Sequence, residues 1–342
     1  MSNKFKVVRL GRSASFSFIP QEEDVAYMAE HDADLVNVKC GNTEEEVIEA
    51  AKDADIIFMS GPQMTRKVME SLPKCQAIIF GSVGYDKVDV DAATDNNIIV
   101  VNNPAHQWCV EEVSNHTIVL LLASAKKLVQ LDKATKQGQW LEAKQSQKPM
   151  QCIHGQTLGL IGCGSIGGMT AVKAQCFNLK IIGYDPYIDK SDAEKNGITL
   201  VDSLTELLKQ SDYVSAHTPL NDSTRHMLGE KEFGMMKPTA YFINTSRGPV
   251  VDETALIKAL EEKWIAGAGL DVFEMEPIAS DNPLLKMDNV TVFPHSASYS
   301  DVAFSKPCKI MMEETLRILK GKWPVIVVNE SVKPKVNLVR EE

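Results

Sequence analysis

The sequence predicts an α/β fold with two doubly wound, parallel-sheet domains and a cleft between them. Short β-rich runs alternate with helical stretches, and a glycine-rich loop lies between two of the runs. This alternation is typical of parallel sheets covered by helices on both faces. The runs form two sets, which end near residues 103 and 295. The predicted strands are 6–10, 55–59, 77–80, 98–101, 158–161, 180–184, 213–217, 240–244, 267–270 and 291–293.

The composition is that of a folded protein with room for two cores. The chain has 342 residues, of which 44% are hydrophobic, enough for two ordinary domains. Its net charge of −10 disfavours nucleic acid or an acidic membrane surface as a partner. No apolar run approaches the about 20 residues of a membrane-spanning helix, and the N-terminal residues lack the pattern of a signal peptide. We therefore expect a cytoplasmic protein.

The cysteines indicate a reducing environment. Seven cysteines are scattered along the chain without a C-x-x-C pair. This pattern is typical of reduced cytosolic proteins rather than of a disulfide framework or a zinc site. We therefore predict free thiols and no bound metal.

The glycine-rich loop predicts a dinucleotide site. Residues 162–167 read GCGSIG, directly after an apolar run. A second apolar run ends in Asp185, close to the spacing of about 20 residues at which a carboxylate reaches the ribose. An ordinary glycine-rich turn is the weaker interpretation, because the strand, the helical pattern and the terminal acid occur together.

Each glycine has a distinct physical role in such a loop. Gly162 permits the turn out of the strand, Gly164 lets the backbone approach a pyrophosphate, and Gly167 lets the helix pack on the strand. The helix N-terminus offers unpaired N–H groups to the phosphates. Asp185 would accept hydrogen bonds from the ribose hydroxyls and repel a 2′-phosphate, which favours NAD over NADP. The predicted cofactor residues of this loop are Gly162, Gly164, Ser165, Ile166 and Gly167, with Asp185 after the next strand.

The order of the elements predicts a discontinuous first domain. A helical pattern over 110–139 would bridge the two domains, and residues 143–151 would form a loop into the glycine-rich strand. A C-terminal helical run over 301–320 and a strand-like run over 324–328 would return to the first domain. The predicted domains are 1–104 plus 297–342 for substrate and 105–296 for NAD binding. The crossings near 104 and 296 would then act as hinges around an active-site cleft.

Three later segments contain groups suited to hydride transfer, which needs a cation for the substrate anion and an acid–base group. Arg247 follows a predicted strand, where open α/β sheets place ligands, although it could instead be a surface residue that caps a turn. Glu276 precedes Pro277, which would fix the local backbone, although the acids there could be a solvated loop. His295 follows Pro294, and a lone histidine is more often structural. A neighbouring carboxylate would stabilise its imidazolium form, so the Glu276–His295 pair is the hypothesis.

The motifs together resemble the D-isomer-specific 2-hydroxyacid dehydrogenase family over nearly the full chain. His217-Thr218-Pro219-Leu220 ends another predicted strand, where it would line the cofactor site. The matching segments, in order, are 81–93, the glycine loop with Asp185, 217–220, 243–256, 268–277 and 293–300. The resemblance implies two Rossmann-like domains, the outer one discontinuous. It also implies a homodimer formed through the cofactor domain.

The resemblance assigns roles to individual residues. Arg247 would bind the carboxylate and carbonyl of a small 2-keto or D-2-hydroxy acid. His295, paired with Glu276, would act as acid in reduction and base in oxidation. The backbone N–H groups of Val83 and Gly84 would hold the carboxylate from the other domain. The cofactor set would be completed by His217, Thr218 and Pro219, with Thr245 and Asp271 near the nicotinamide.

Departures from the family pattern leave alternatives open. The stretch 293–300 is closer to the branch of the C-terminal-binding protein corepressors, whose aromatic residue is Ser298 here. An NAD(H)-sensing corepressor or scaffold is therefore one alternative. A 3-phosphoglycerate-type dehydrogenase is another: Gly61 stands where that group has an arginine, but Arg66 lies nearby. Glu276 replaces the glutamine of formate dehydrogenases, which disfavours formate as substrate.

Overall fold

The computed structural model describes residues 5–11, 22–102 and 106–340. The chain divides into two compact units, Met1–Cys109 with Ser300–Glu342 and Val110–Tyr299. The predicted assignment of 1–104 plus 297–342 to substrate and of 105–296 to NAD binding stays a prediction. The predicted hinge near residue 104 lies outside the described residues. Within the described part of the chain, no helix is long and apolar enough to cross a membrane.

The first unit is built on a parallel sheet. Its described residues form five strands in the order β2-β1-β3-β4-β5. The strands are β1 (Phe5–Gly11), β2 (Ala33–Lys39), β3 (Ile56–Ser60), β4 (Ala77–Phe80) and β5 (Ile99–Val101). The helices of this unit are α1 (Glu22–Ala29), α2 (Glu44–Ala51), α3 (Arg66–Glu70), α4 (Val90–Asp95) and, late in the chain, α13 (Asp301–Leu319). Apolar clusters cover both faces of the sheet, as expected for a parallel sheet.

Two local expectations for this unit are wrong. The strand β2 was not predicted, because its alternating buried and exposed residues belong to an edge strand with a polar outer row. Residues 324–328 are not a strand. They run beside β5, where Val328 N–H donates to the Val100 carbonyl. The side chain of Asn329 then accepts from Val100 N–H and donates to the Ile98 carbonyl and Thr94 Oγ1. The side chain of Asn329 therefore bonds to backbone groups at the edge of β5 that a neighbouring strand would otherwise pair.

The second unit contains a larger parallel sheet. Its strands follow the order β12-β11-β10-β9-β6-β7-β8, in which the chain leaves β6 first to one side and then to the other. This is the doubly wound Rossmann order with one additional strand, and it confirms the predicted fold class. The strands are β6 (Thr157–Ile161), β7 (Lys180–Tyr184), β8 (Thr199–Leu200), β9 (Tyr213–Ala216), β10 (Tyr241–Asn244), β11 (Gly267–Leu270) and β12 (Val290–Val292).

The helices of the second unit correct the predicted bridging helix. The pattern over 110–139 is two helices, because Lys127 has a left-handed φ of 51° that ends the first of them. Part of the predicted loop 143–151 is helical. The helices are α5 (His106–Ala125), α6 (Leu128–Lys136), α7 (Trp140–Ser146), α8 (Ser165–Gln175), α9 (Lys190–Lys195), α10 (Leu204–Gln210), α11 (Glu230–Phe233) and α12 (Glu253–Glu261), with short 3₁₀ turns at Gly248–Val250 and Pro283–Lys286.

The sheet order places the candidate functional segments at one edge. Ligands of open α/β sheets bind outside the carboxyl ends of the strands, at the point where the order reverses. That point lies between β6 and β9. The segments that follow β6, β7, β9, β10, β11 and β12 contain Gly162, Asp185, His217, Thr245, Asp271 and His295, respectively.

Candidate active site

The glycine loop has the geometry that its sequence predicts. Gly162 has a φ of 92°, and a Cβ there would lie 2.9 Å from the carbonyl of His217. A Cβ on Gly167 would lie 2.2 Å from the Gly162 carbonyl oxygen. At Gly164, which precedes α8, an added Cβ would meet nothing within 4 Å. At Gly162 and Gly167 the backbone passes too close to other backbone atoms for any side chain. At Gly164 there is open space before the helix N-terminus formed by Ser165 and Ile166.

Asp185 is held against the glycine loop. Its carboxylate accepts hydrogen bonds from Cys163 N–H and Tyr187 N–H, both at 2.9 Å. Gly162 N–H donates to the Tyr184 carbonyl at 3.0 Å. The ends of β6 and β7 are thereby tied together, and the position of the carboxylate is fixed. The space at Gly164 and this fixed carboxylate fit the pyrophosphate and ribose of NAD.

His217 closes the other side of the glycine loop. Its N–H donates to the Ile161 carbonyl, and its Nε2 lies 2.9 Å from Ser215 Oγ. Burial lowers the pKa of His217 to about 4, so the ring is neutral at physiological pH. The following residues Thr218 and Pro219 form a turn in which the Pro219 carbonyl accepts from Thr224 Oγ1 at 2.6 Å.

A buried asparagine shapes the turn that carries Arg247. Asn244 Oδ1 accepts from the N–H and the hydroxyl of Ser246, and Asn244 Nδ2 donates to the Arg247 carbonyl. Thr245 Oγ1 lies 2.9 Å from Thr117 Oγ1 of α5. Sequence reasoning missed Asn244. The sequence feature that could have identified it is a polar residue at the last position of an apolar strand, where a side chain can bond to the next turn.

Gly248 joins the arginine turn to the segment after β11. A Cβ on Gly248 would lie 1.8 Å from the Phe273 carbonyl oxygen and 2.5 Å from Glu274 N. Any larger residue would push the two backbones apart. The Arg247 turn and the segment that leads to Glu276 are therefore packed against each other.

Glu276 and His295 form a direct pair. His295 Nδ1 lies 2.6 Å from Glu276 Oε2, while Phe273 N–H donates to Glu276 Oε1. Burial alone would raise the pKa of Glu276. The hydrogen bond and charge of His295, with contributions from Phe273 N–H and Arg247, outweigh burial and hold this pKa below its usual value. The carboxylate is therefore ionised, so Nδ1–H is the donor and Nε2 remains available.

Asp271 holds the loop that contains His295. Its side chain is 0% exposed, and its two oxygens accept from Ser296 N–H and Ala297 N–H, both at 2.8 Å. Its carbonyl accepts from His295 N–H. The resemblance places Asp271 near the nicotinamide, and that contact stays a prediction. The hydrogen bonds to the loop were not predicted from sequence.

A second network fixes the segment between Asp271 and Glu276. His226 Nε2 lies 2.7 Å from Glu274 Oε1. Glu274 and Glu253 each accept the backbone N–H of the other, and Asn282 Nδ2 donates to Glu253. The pair of His226 and Glu274 joins residues that are 48 positions apart in the chain.

The structure brings most of the predicted site residues together in the second unit. Arg247, Glu276 and His295, with Asp271 and Thr245, follow neighbouring strands of one sheet. Val83 and Gly84 lie in the first unit, in the turn after β4. There the Val83 carbonyl accepts from Asn102 Nδ2, and the Gly84 carbonyl accepts from Ser82 Oγ.

The lowered pKa of His217 predicts an acid-sensitive stability. A histidine in an unfolded chain has a pKa of about 6.5. Below that pH the unfolded state takes up a proton that the folded state does not bind until about pH 4. The free energy of unfolding should therefore fall as the pH decreases through this window, by up to about 3 kcal/mol from this residue. In His217→Asn this part of the fall should disappear, as measured by urea unfolding of the protein without cofactor.

The matched control is His154→Asn, at an exposed histidine of the same unit. It should keep the pH dependence of the unchanged protein. An unaltered pH dependence in His217→Asn would contradict the assignment of a buried, neutral ring.

The family model for "D-isomer specific 2-hydroxyacid dehydrogenase, NAD binding domain" matches residues 118–297. D-3-phosphoglycerate dehydrogenase of Methanocaldococcus jannaschii is 41% identical over 91% of this chain, which spans 58% of that protein's length. Glyoxylate reductase of Korarchaeum cryptofilum is 39% identical, and the match covers 91% of this chain and 94% of that protein.

Solved structures agree over both units. An acyclic imino acid reductase in complex with NADPH and D-Arg matches with a TM-score of 0.81 and 32% identity, over 95% of this chain and all of the other. D-lactate dehydrogenase from Aquifex aeolicus, complexed with NAD and lactic acid, matches with a TM-score of 0.78 and 29% identity, over 92% and 96% of the two chains. With the predicted motifs found at one edge of a Rossmann sheet, the chain belongs to the D-isomer specific 2-hydroxyacid dehydrogenase family and carries its NAD-binding domain.

Proposed function

We propose that this protein reduces a small 2-keto acid to the D-2-hydroxy acid with NADH, and catalyses the reverse oxidation with NAD. The observation that supports this most strongly is the 2.6 Å contact between His295 Nδ1 and Glu276 Oε2. A carboxylate-held imidazole at the ligand-binding edge of an NAD-binding sheet is the acid–base group that such a reaction needs.

Glu276 orients the imidazole of His295 through the contact between its Oε2 and His295 Nδ1. Because the ionised Glu276 accepts Nδ1–H, the other ring nitrogen, Nε2, faces the reaction. Nε2–H donates its proton to the carbonyl oxygen of the keto acid as that oxygen becomes an alkoxide. In oxidation, Nε2 takes the proton from the hydroxyl.

Arg247 binds and polarises the substrate. Its planar guanidinium matches the carboxylate of a 2-keto acid and stabilises the charge that develops on the carbonyl oxygen. The backbone N–H groups of Val83 and Gly84 would hold the same carboxylate. The glycine loop, Asp185, the 217–219 turn, Thr245 and Asp271 would bind the cofactor. When bound, NADH would supply the hydride for reduction, and NAD would accept it in the oxidation.

An unphosphorylated acid such as glyoxylate or hydroxypyruvate fits this chain better than a phosphorylated one. Arg66, the cation nearest in sequence to Gly61, lies 2.9 Å from Asp95 and also pairs with Glu70. It is therefore engaged within its own unit rather than reserved for a phosphate. The relative named glyoxylate reductase also matches over nearly its full length. The corepressor or scaffold alternative is not favoured, since the chain retains Arg247, Glu276 and His295, and the last two are in direct contact.

The first experiment measures NADH consumption by the purified protein with a panel of 2-keto acids. The panel contains glyoxylate, hydroxypyruvate, pyruvate, bulkier aliphatic and aromatic acids, and 3-phosphohydroxypyruvate. We expect turnover of the small unphosphorylated acids. His295→Ala should lower kcat by about 10²- to 10⁴-fold, because the proton donor is lost, and Glu276→Gln should lower it less. NADH affinity, measured by fluorescence, should change little in both variants.

His154→Ala removes an exposed histidine and is the control for the chemistry. Full turnover by His295→Ala, or an equal loss of turnover and of NADH binding, would refute the role of His295. Tight NADH binding without turnover of any acid would refute the proposed reaction and favour the sensor alternative.

We further propose that Asp185 selects NAD over NADP. Its fixed carboxylate would repel the 2′-phosphate of NADPH. Asp185→Ala should therefore shift the ratio of kcat/KM for NADH over NADPH toward NADPH by about tenfold or more, as expected when a like charge is removed from a phosphate site. Asp189→Ala is the matched control, because Asp189 is a nearby carboxylate without a capping hydrogen bond. An unchanged cofactor preference in Asp185→Ala would refute the assignment.

A homodimer through the cofactor domain is also proposed. Leu128, Val129, Trp140 and Leu141 of α6 and α7 are 50–68% exposed, and such an apolar patch marks an interaction surface. Light scattering at micromolar concentration should give a dimer for the unchanged protein and a monomer for Trp140→Lys with Leu141→Lys. Val325→Lys, at an exposed valine of the first unit, should stay dimeric. A monomer in the unchanged protein would overturn this proposal.

We propose the cytoplasm as the working compartment. The seven cysteines lie in the described residues, where none of them forms a disulfide, and thiols stay reduced in the cytosol.

A further inference from the structure

The backbone at His295 needs support from its surroundings. His295 has a left-handed φ of 54°, which residues other than glycine rarely adopt and which costs free energy. Three hydrogen bonds that Asp271 accepts from this loop oppose that cost. The carbonyl of Asp271 accepts from His295 N–H, and its carboxylate accepts from Ser296 and Ala297. The conformation of the loop therefore depends on the carboxylate of Asp271.

That carboxylate has no exposure to solvent. A buried charge is costly unless polar groups replace its lost hydration. Two backbone N–H groups replace part of it, one on each oxygen. The oxygen that accepts from Ser296, Oδ1, also faces His116 Nε2 at a distance of 3.6 Å. This is longer than a direct hydrogen bond but close enough for the N–H dipole to act on the charge.

His116 is held in this position by α5 and by an aromatic ring. Its imidazole meets Phe293 edge-on, with 4.5 Å between ring centroids and 90° between planes. The next residue, Thr117, contacts Thr245. This turn of α5 therefore lies against Thr245, which follows β10, and against Asp271, which follows β11. Among the described residues, His116 Nε2 is buried without a hydrogen-bond partner. An unpartnered polar atom in such a place needs a reason.

The charge state of His116 decides how it acts. Burial lowers the pKa of His116, although the charge of Asp271 opposes this. The ring is therefore neutral at physiological pH. It therefore acts on Asp271 through an N–H dipole and not as a cation.

We propose that His116 is a positioning residue: its Nε2–H, set beside Asp271 Oδ1, stabilises the buried carboxylate that fixes the loop 295–297. Through that loop, it sets the position of the His295 ring. The proposal rests on the proposed function for its kinetic consequence, but the structural link from His116 to the loop does not require any substrate. Two kinds of measurement can therefore separate the two proposals.

Two substitutions separate the polar atom from the ring. His116→Phe keeps a ring against Phe293 and removes the N–H group. His116→Gln loses the ring but can place an amide N–H near the position of Nε2. If the N–H group matters, the Ser296 and Ala297 amides in His116→Phe should exchange with deuterium about tenfold faster, as expected when a hydrogen bond to a charged group is weakened. In His116→Gln their exchange should stay near that of the unchanged protein.

The kinetic readout follows the same order. His116→Phe should lower kcat by about tenfold with little change in NADH affinity, because only the proton donor is displaced. His116→Gln should recover most of this loss. The matched control is Ser124→Ala on the same helix. Ser124 Oγ is likewise buried without a partner among the described residues, and it packs near Gly269 of β11, away from the loop. This control should match the unchanged protein in both measurements.

The outcomes are distinguishable. Unchanged amide exchange in His116→Phe would overturn the inference. So would unchanged exchange and kcat in His116→Phe together with faster exchange and lower kcat in His116→Gln, because packing of the ring would then explain the contact. Faster exchange in His116→Phe, in a protein that reduces no 2-keto acid, would support the inference and refute the proposed function.

Discussion

The buried carboxylate of Asp271 is the interaction on which the candidate site depends. It follows β11, and its side-chain oxygens and carbonyl together accept from three successive N–H groups of the loop that carries His295. A peptide N–H that loses water must find an acceptor, and a carboxylate that loses water must find donors. The loop N–H groups and the Asp271 carboxylate provide these partners for each other, and the hydrogen bonds hold a short irregular loop in one conformation. In that conformation His295 Nδ1 lies 2.6 Å from Glu276 Oε2.

Close backbone contacts extend this order to the neighbouring segments. The absence of a side chain at Gly248 lets the Arg247 turn touch the segment before Glu276. Asn244 satisfies the turn itself. The network of His226, Glu274 and Glu253 then holds the same segment from its outer side. The three groups proposed to act on the substrate therefore have their positions fixed by backbone contacts and not only by their own side chains.

Much of the fold was predictable because its signals are local. Parallel strands buried on both faces give apolar runs, and the glycine loop is a contiguous motif. Other features were missed where the decisive contact is distant in sequence. The edge strand β2 lacks an apolar run. Residues 324–328 are strand-like in sequence, but they contact β5 through the backbone of Val328, and the side chain of Asn329 makes the next bonds to that edge. The break at Lys127 has neither glycine nor proline to announce it. The residues predicted for the site are polar groups that directly follow apolar runs, which is a local signal. His116 gave no such signal, since a histidine on a helix does not reveal which loop it faces.

The connection between Asn329 and β5 has a consequence for the order in which the chain folds. The side chain of Asn329 bonds to Val100, which lies 229 positions earlier, and α13 belongs to the same unit as the strands at the start of the chain. During synthesis, the second unit is complete while the sheet of the first unit still lacks this edge and this helix. Contacts of such long separation form late and slow the folding of the domain that needs them. The unit that begins first is therefore finished last, and until then it exposes an apolar sheet edge that a chaperone could recognise.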